Sequence, residues 1–190
     1  MDDRDRRRPD VTTVEVVGGQ PPLTIGLQEH DPAWAEAHLA HRRRILEAVG
    51  DAALAVEHIG STSVPGLAAK PIVDIVLVVA DITAEEDHVE RLVAAGYDLR
   101  VRERGHRLVR TPARDVHVHV YEEGAPAVES YLLLRDRLRS DEADRDLYER
   151  TKRELMTRRW DTMDAYADAK TEVIQGILAR ARAARGSRPA

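Results

Sequence analysis

The chain has no cysteine and no phenylalanine, and aromatic residues make up only 4% of it. The absence of cysteine excludes disulfides, thiolate zinc sites and cysteine nucleophiles. With so few aromatic rings, the core must be packed mainly by Leu, Val, Ile and Ala. The charged start MDDRDRRRPD lacks the apolar stretch of a signal peptide, and the mainly apolar segment 72–80 is too short to cross a bilayer. We therefore expect a cytoplasmic protein with no membrane partner.

Lysine is also scarce, because only three of the 29 basic residues are lysines and the rest are arginines. Where arginine is the usual surface cation, a rare lysine indicates a position that needs a compact ammonium, although chance explains the same pattern. The net charge of −5 provides no overall basic field, so we expect no bulk binding of nucleic acid. The three positions are Lys70, Lys152 and Lys170.

Hydrophobic patterning predicts an α+β protein in which a sheet-containing core is followed by helices. We expect a mobile tail over 1–20, a single domain over 21–185 (core 21–124, helical part 125–185) and a frayed end over 186–190. Breaks in the helical part are expected near Ser140 and Asp161. The predicted strands are 24–27, 54–59, 72–79, 97–101, 107–111 and 116–121, and the predicted helices of the core are 32–49 and 84–95.

The segment from Glu57 to Asp74 reads EHIGSTSVPGLAAKPIVD, in which a loop of small and hydroxyl residues lies between two apolar strands. Such a loop offers backbone N–H groups and hydroxyls to an anion such as phosphate. Its spacing is that of neither a Walker A motif nor a GxGxxG motif. An ordinary surface loop is the alternative. The predicted phosphate-binding residues here are Gly60, Ser61, Thr62, Ser63 and Lys70.

Asp74 lies within an apolar strand, where a carboxylate needs a metal ion or a cation beside it. Lys70 is the candidate partner for a purely structural salt bridge. In the segment DVHVHVY, alternation places His117 and His119 on one face and the valines on the other. Two histidines so spaced suit metal ligation or phosphate contact, and two solvated histidines are the alternative.

Two tyrosine–lysine pairs lie in the helical part, each with a spacing of four residues that stacks both side chains on one helix face. Arg135 and Arg139 share that spacing. If these helices cover the loop, they bring cations and phenols to a phosphate chain. Ordinary surface decoration is the alternative. The two pairs are Tyr148 with Lys152 and Tyr166 with Lys170.

At these positions the chain resembles the GrpB-like family, which is related to the nucleotidyltransferase superfamily. The resemblance spans about residues 23–183 and rests on four motifs. These are EHIGSTSVPGLAAKPIVDI (57–75), HVHV (117–120), LRDRLR (134–139) and the tyrosine and lysine positions of the helical part. It implies a nucleotidyltransferase-like mixed sheet flanked by helices and followed by a helical region.

The resemblance also implies a function: binding of a nucleoside triphosphate such as ATP with a divalent metal, and transfer of a nucleotidyl group to an unidentified acceptor. The superfamily pattern is a Gly-Ser followed by an acid on the next strand, which Gly60, Ser61 and Asp74 match; Val76 stands where a second acid is expected. We therefore predict Asp74, His117 and His119 as catalytic residues. Asp74, His119 and Glu57 are the predicted ligands for Mg²⁺ or Mn²⁺, with Zn²⁺ as the softer alternative.

Two other functions are compatible with the same residues. Loss of the second acid at Val76 suggests a nucleotide- or phosphometabolite-binding module without catalysis. GrpB-like domains also occur fused to dephospho-CoA kinase, which fits an accessory role. A phosphohydrolase that uses the histidines with Asp74 is the third hypothesis, since histidine serves as a nucleophile or a general base.

Overall fold

The computed structural model describes residues 10–18, 26–160 and 163–186. Six strands and six α-helices lie in these ranges. The strands are β1 (Glu15–Val16), β2 (Ala55–Ile59), β3 (Val73–Val79), β4 (Asp98–Glu103), β5 (His106–Arg110) and β6 (Val116–Glu122). The helices are α1 (Ala33–Val49), α2 (Val89–Ala94), α3 (Pro126–Ser140), α4 (Glu142–Met156), α5 (Met163–Asp168) and α6 (Thr171–Gly186).

The six strands form one mixed sheet in the order β1-β4-β5-β6-β3-β2. Only β3 and β6 are parallel, and every other neighbouring pair is antiparallel. The parallel register places Asp74 opposite His117 and Val76 opposite His119. Because directly paired residues point to the same face of a sheet, these four side chains share one face.

The two faces of the sheet are covered by different helices. Helices α1 and α2 pack on one face over an aliphatic core that includes Ile75, Leu77 and Val118. Helix α3 packs on the other face, where Val128, Tyr131 and Leu132 contact the buried side chains Ile59, Val76 and Val78. The alternation of buried valines in β6 follows from this arrangement, because Val116, Val118 and Val120 face α1 and α2. The histidines between them are left on the α3 side, next to the site.

The remaining helices pack around the loop that follows β2. Val64 and Leu67 of that loop are buried against Leu138, Tyr148 and Ile177, which belong to α3, α4 and α6 respectively. Buried Asp144 ties the same three helices together, since its carboxylate accepts from Arg137 Nε at 2.6 Å and from Arg180 Nη2 at 2.6 Å. No helix within the described residues is both long enough and apolar enough to cross a membrane.

The structure confirms the α+β class, with a mixed sheet flanked by helices and a helical region after it. The predicted strands from 54 onward are found with ends shifted by one or two residues. The helix predicted over 84–95 is shorter, because residues Glu85–Asp87 form a separate 3₁₀ turn before α2. The predicted break near Ser140 is found at Asp141, which caps α4 by accepting from the Asp144 backbone N–H.

The predicted mobile tail contains a strand that the sequence did not indicate. Glu15 and Val16 pair with β4, and the Asp10 carboxylate accepts from the buried Arg107 guanidinium at 2.9 Å. Charged residues of the predicted tail are thus held at the sheet by residues that are distant in the sequence. Residues 1–9, 19–25, 161–162 and 187–190 lie outside the described residues, so the break at Asp161, most of the frayed end and the first half of the strand predicted at 24–27 lie there too.

Candidate functional site

The loop after β2 is built by its own hydroxyl groups. Gly60 has φ +71° and ψ −175°, a conformation open essentially to glycine alone, and a 3₁₀ turn follows over Ser61–Ser63. Thr62 Oγ1 donates to the Ile72 carbonyl at 3.1 Å, and Ser63 Oγ donates to the Gly60 carbonyl at 2.6 Å. These two hydroxyls therefore hold the loop closed, whereas Ser61 Oγ accepts from Lys152 Nζ at 3.2 Å.

A cavity of about 550 Å³ opens between this loop, the end of the sheet and the helical half. It brings together most of the residues predicted from the sequence. Those that line it are Gly60, Ser61, Thr62, Lys70, Asp74, His117, His119, Arg135, Tyr148, Lys152, Tyr166 and Lys170. Ser63, Arg139 and Glu57 are not among the lining residues.

Asp74, His117 and His119 line the cavity and form a cluster of potential metal ligands. Asp74 Oδ1 lies 3.6 Å from His117 Nδ1 and 3.6 Å from His119 Nε2. One ligand atom from each residue can be chosen so that all lie within 4.8 Å of one another. Burial lowers the pKa of the His117 imidazole, which favours the neutral form that ligates metals. The donor set therefore fits one divalent ion.

Gly60 allows this cluster to lie directly against the loop. A Cβ atom at position 60 would lie 2.6 Å from Asp74 Oδ2, closer than van der Waals contact permits. Since backbone strain and close approach coincide here, only glycine brings the loop N–H groups next to the Asp74 carboxylate.

The three lysines converge on two tyrosine rings at one side of the cavity. Lys70 Nζ and Lys170 Nζ lie 4.1 and 4.6 Å from the centre of the Tyr166 ring, and Lys152 Nζ lies 4.9 Å from that of Tyr148. Lys152 also donates to Ser61 Oγ and to the Ala68 carbonyl.

Burial lowers the pKa of all three ammonium groups. Burial, with Lys170 nearby, lowers the pKa of Lys70 to about 8. Burial lowers the pKa of Lys152 to about 7, against the opposing effect of Glu149. Burial also raises the pKa of the Tyr148 phenol to about 12, so it stays protonated at neutral pH. An anion bound in the cavity would oppose this effect and favour the charged ammonium forms.

Arg135, Arg139 and Glu57 have contacts that differ from those predicted. Arg139 donates to the Ser63 carbonyl through Nε at 2.9 Å and Nη2 at 2.7 Å, so it clamps the loop from outside the cavity. Arg135 lines the cavity, but its Nη1 donates to Glu57 Oε2 at 2.8 Å. The structure places Glu57 in this ion pair with Arg135 of α3 and outside the Asp74–His117–His119 cluster, so its role as a metal ligand stays a prediction.

Sequence reasoning missed several residues of the site. Tyr131 and Leu134 of α3 line the cavity, and His106 of β5 contacts His119. Nothing local in the sequence marks them, because their positions depend on the strand order and on how α3 lies across the sheet. A short sequence span between His106 and His119 was the one available signal, since neighbouring short strands commonly form hairpins.

Comparisons with known proteins agree with the resemblance described above. A family model described as "GrpB protein" matches residues 24–180. UPF0157 protein SCO7215 of Streptomyces coelicolor is 67% identical over 180 residues, covering 95% of this chain and 96% of that protein. The crystal structure of conserved protein GrpB from Enterococcus faecalis has a TM-score of 0.72 at 31% identity, covering 82% of this chain and 96% of that chain. The Cid1 poly(U) polymerase with MgGTP bound has a TM-score of 0.49 at 16% identity, over 69% of this chain and 45% of that chain. The chain belongs to the GrpB protein family.

Proposed function

We propose that this protein binds a nucleoside triphosphate together with a divalent metal ion in the cavity and transfers its nucleotidyl group to an acceptor hydroxyl or amine. One observation carries the proposal: the Gly60–Ser61 turn, the Asp74–His117–His119 cluster and all three lysines of the chain lie around a single cavity. The volume of about 550 Å³ is within the range of small-molecule sites.

The roles divide between the two sides of the cavity. Asp74, His117 and His119 would hold the ion, and two imidazoles suit Mn²⁺ or Zn²⁺ at least as well as Mg²⁺. When bound, the ion neutralises phosphate charge. Lys70, Lys152 and Lys170 take the phosphate chain. The acceptor oxygen or nitrogen bonds to the α-phosphorus and gives up its proton to solvent while the bond to the bridging oxygen breaks, and the lysines stabilise the charge of the departing pyrophosphate.

Equilibrium binding to non-hydrolysable triphosphates in the presence of Mn²⁺ tests the first half of the proposal. Lys152→Met should weaken binding by at least about tenfold, since it removes a charge-assisted contact. Arg153→Met is the matched control, because Arg153 is the next residue of α4 but is half exposed and pairs with Glu29 and Glu149. If no nucleoside triphosphate binds with any divalent ion, the proposal is wrong.

A binding module without catalysis is the second candidate, and the burial of Val76 favours it. Val76 occupies the position of the expected second acid and is fully buried beneath α3. Transfer of label from α-labelled triphosphates to candidate acceptors separates the two functions. Tight binding with no transfer across divalent ions and acceptors would favour the module and contradict the transferase.

A further inference from the structure

A line of hydrogen-bonding groups runs from the surface of the sheet to the metal-ligating cluster. Glu103 Oε1 lies 2.5 Å from His106 Nδ1, and His106 Nε2 lies 3.1 Å from His119 Nδ1. His119 Nε2 is the atom that faces Asp74, at 3.6 Å from Oδ1. In each histidine, one ring nitrogen faces the Glu103 end of the line and the other faces the metal-ligating cluster.

The sheet register fixes these groups in place. Glu103 pairs directly with His106 across β4 and β5, and His106 with Tyr121 across β5 and β6, so these side chains share the face that carries His119. His106 is buried and its ring stacks on that of Tyr121, with centroids 4.5 Å apart. His119 is held in turn by Tyr131 of α3, whose ring centroid lies 5.9 Å away.

With Glu103 ionised and both histidines neutral, these contacts admit one placement of the protons along the line. A glutamate ionised at neutral pH can only accept, so His106 Nδ1 carries the proton that is donated to Glu103. A neutral imidazole has one N–H, so His106 Nε2 is an acceptor and His119 Nδ1 must be the donor to it. His119 Nε2 then has a free lone pair that points at Asp74 and the cavity.

We propose that Glu103 and His106 are positioning residues that hold His119 in the tautomer whose Nε2 ligates the divalent ion. The inference rests on the metal site of the proposed function and adds to it. Histidine ligands generally donate their second N–H to a carboxylate or carbonyl, which orients the ring and raises its basicity as a ligand. Here a second imidazole is interposed between the ligand and the carboxylate.

The tautomer can be read in the metal-free protein. Long-range ¹H–¹⁵N correlation spectra at pH 8 should show His119 protonated at Nδ1, with the signal assigned by its loss in His119→Gln. His106→Phe keeps a ring to stack on Tyr121 but removes both nitrogens, so His119 should become a mixture of tautomers. A wild-type His119 protonated at Nε2 would overturn the proposal whether or not a metal binds.

Metal affinity gives the second readout. Titration with Mn²⁺ and with Zn²⁺ should show His106→Phe binding about 10- to 100-fold more weakly than the parent chain. His106→Gln, whose amide can both accept from His119 and donate to Glu103, should recover part of the loss. The control is His41→Phe, which removes the hydrogen bond of another histidine, to Tyr97, on the side of the sheet covered by α1; it should leave metal affinity unchanged.

The outcomes separate this proposal from the proposed function. If the parent chain binds no divalent ion while His119 shows the Nδ1–H tautomer, the metal site of the proposed function is wrong. The tautomer of His119 that we infer from Glu103 and His106 is then still confirmed. If the parent chain binds the ion and His106→Phe binds it equally well, the positioning role is wrong and the metal site stands. Melting curves without metal identify a variant that has lost its fold, and for such a variant His106→Gln and Glu103→Gln take its place.

Discussion

Gly60 joins the backbone of the loop to the carboxylate of Asp74, and two physical constraints act on it at once. Its φ of +71° disfavours any L side chain, and a Cβ atom would lie 2.6 Å from Asp74 Oδ2. Gly124 shares only the first constraint, since its φ is +80° and nothing lies within 4 Å of the added Cβ.

We therefore predict that Gly60→Ala and Gly124→Ala each lower the free energy of unfolding by about 1–3 kcal/mol, the usual penalty for a strained backbone. Only Gly60→Ala should also lose divalent-metal and triphosphate binding, because its methyl group displaces Asp74. Urea unfolding and metal titration of both variants measure the two effects. Equal metal affinity in Gly60→Ala and the parent chain would show that Asp74 does not need this close approach.

At this scale the sequence predicted which polar residues lie close together more reliably than which groups they contact. The scarcity of lysine correctly singled out three residues that line one cavity. By contrast, the hydroxyls of Thr62 and Ser63 and the guanidinium of Arg139 maintain the loop. A motif shows that polar groups are close in the chain, but only tertiary packing decides whether they face the cavity or the loop backbone.

At the scale of elements, β3 runs from the cavity into the apolar core. Asp74 faces the cavity, whereas Val76, two residues further along the same face, is fully buried against Ile59, Val78 and α3. The strand therefore passes beneath α3 between these two positions. An acid at position 76 would lie in an apolar contact and not beside an ion.

Val76→Asp should accordingly destabilise the protein by about 3 kcal/mol or more, since it buries a carboxylate among apolar side chains. Burial raises the pKa of such an acid in the folded state, so the folded chain binds more protons than the unfolded chain and the loss should deepen as the pH rises from 4 to 8. Urea unfolding at several pH values tests this, with Val76→Thr as the uncharged control of similar shape. A Val76→Asp chain that is as stable as the parent, or that binds metal more tightly, would contradict the packing argument.

Strand alternation predicted that His117 and His119 share a face, and the buried valines of β6 confirm it. The position of Asp74 beside them could not be predicted in the same way, because it requires β3 and β6 to be parallel neighbours although 36 residues and two further strands lie between them in the chain. The hydrogen-bonded line from Glu103 to His119 could not be predicted either, because it also depends on the strand order. Period-two patterns fix the face of a side chain, whereas strand order fixes its neighbour.

At the scale of the whole molecule, a chain of net charge −5 places all three of its lysine side chains around one cavity. Lys70 comes from the sheet-containing half, and Lys152 and Lys170 come from α4 and from the residue preceding α6. Arg139 of α3 donates to the Ser63 carbonyl and so joins the helical half to the loop of the sheet-containing half. Within the helical half, Asp144 of α4 accepts from Arg137 and Arg180. Folding is thus what assembles the cationic site.

We predict that anion binding in this cavity depends on pH. The pKa of Lys152 is lowered to about 7 and that of Lys70 to about 8, because both are buried beside other cations. A polyphosphate restores the charged forms, so at pH 8 its binding should draw about one to two protons from solution, and affinity should fall as the pH rises from 7 to 9. Stability without ligand should change in the opposite sense: between about pH 7 and 10.5 unfolded Lys152 binds the proton that the folded state lacks, so this group makes the folded state more stable as the pH rises.

Calorimetric titration of a non-hydrolysable triphosphate in two buffers of different ionisation enthalpy measures the proton uptake at pH 8. Lys152→Met should remove the larger share, since in the free protein Lys152 is the more fully deprotonated of the two lysines at this pH. Arg153→Met should leave the uptake as it is, because the Arg153 guanidinium lies outside the cavity in ion pairs with Glu29 and Glu149. If the parent chain takes up no protons, or if Lys152→Met takes up as many protons as the parent chain, the phosphate chain does not contact the buried Lys152 ammonium of α4.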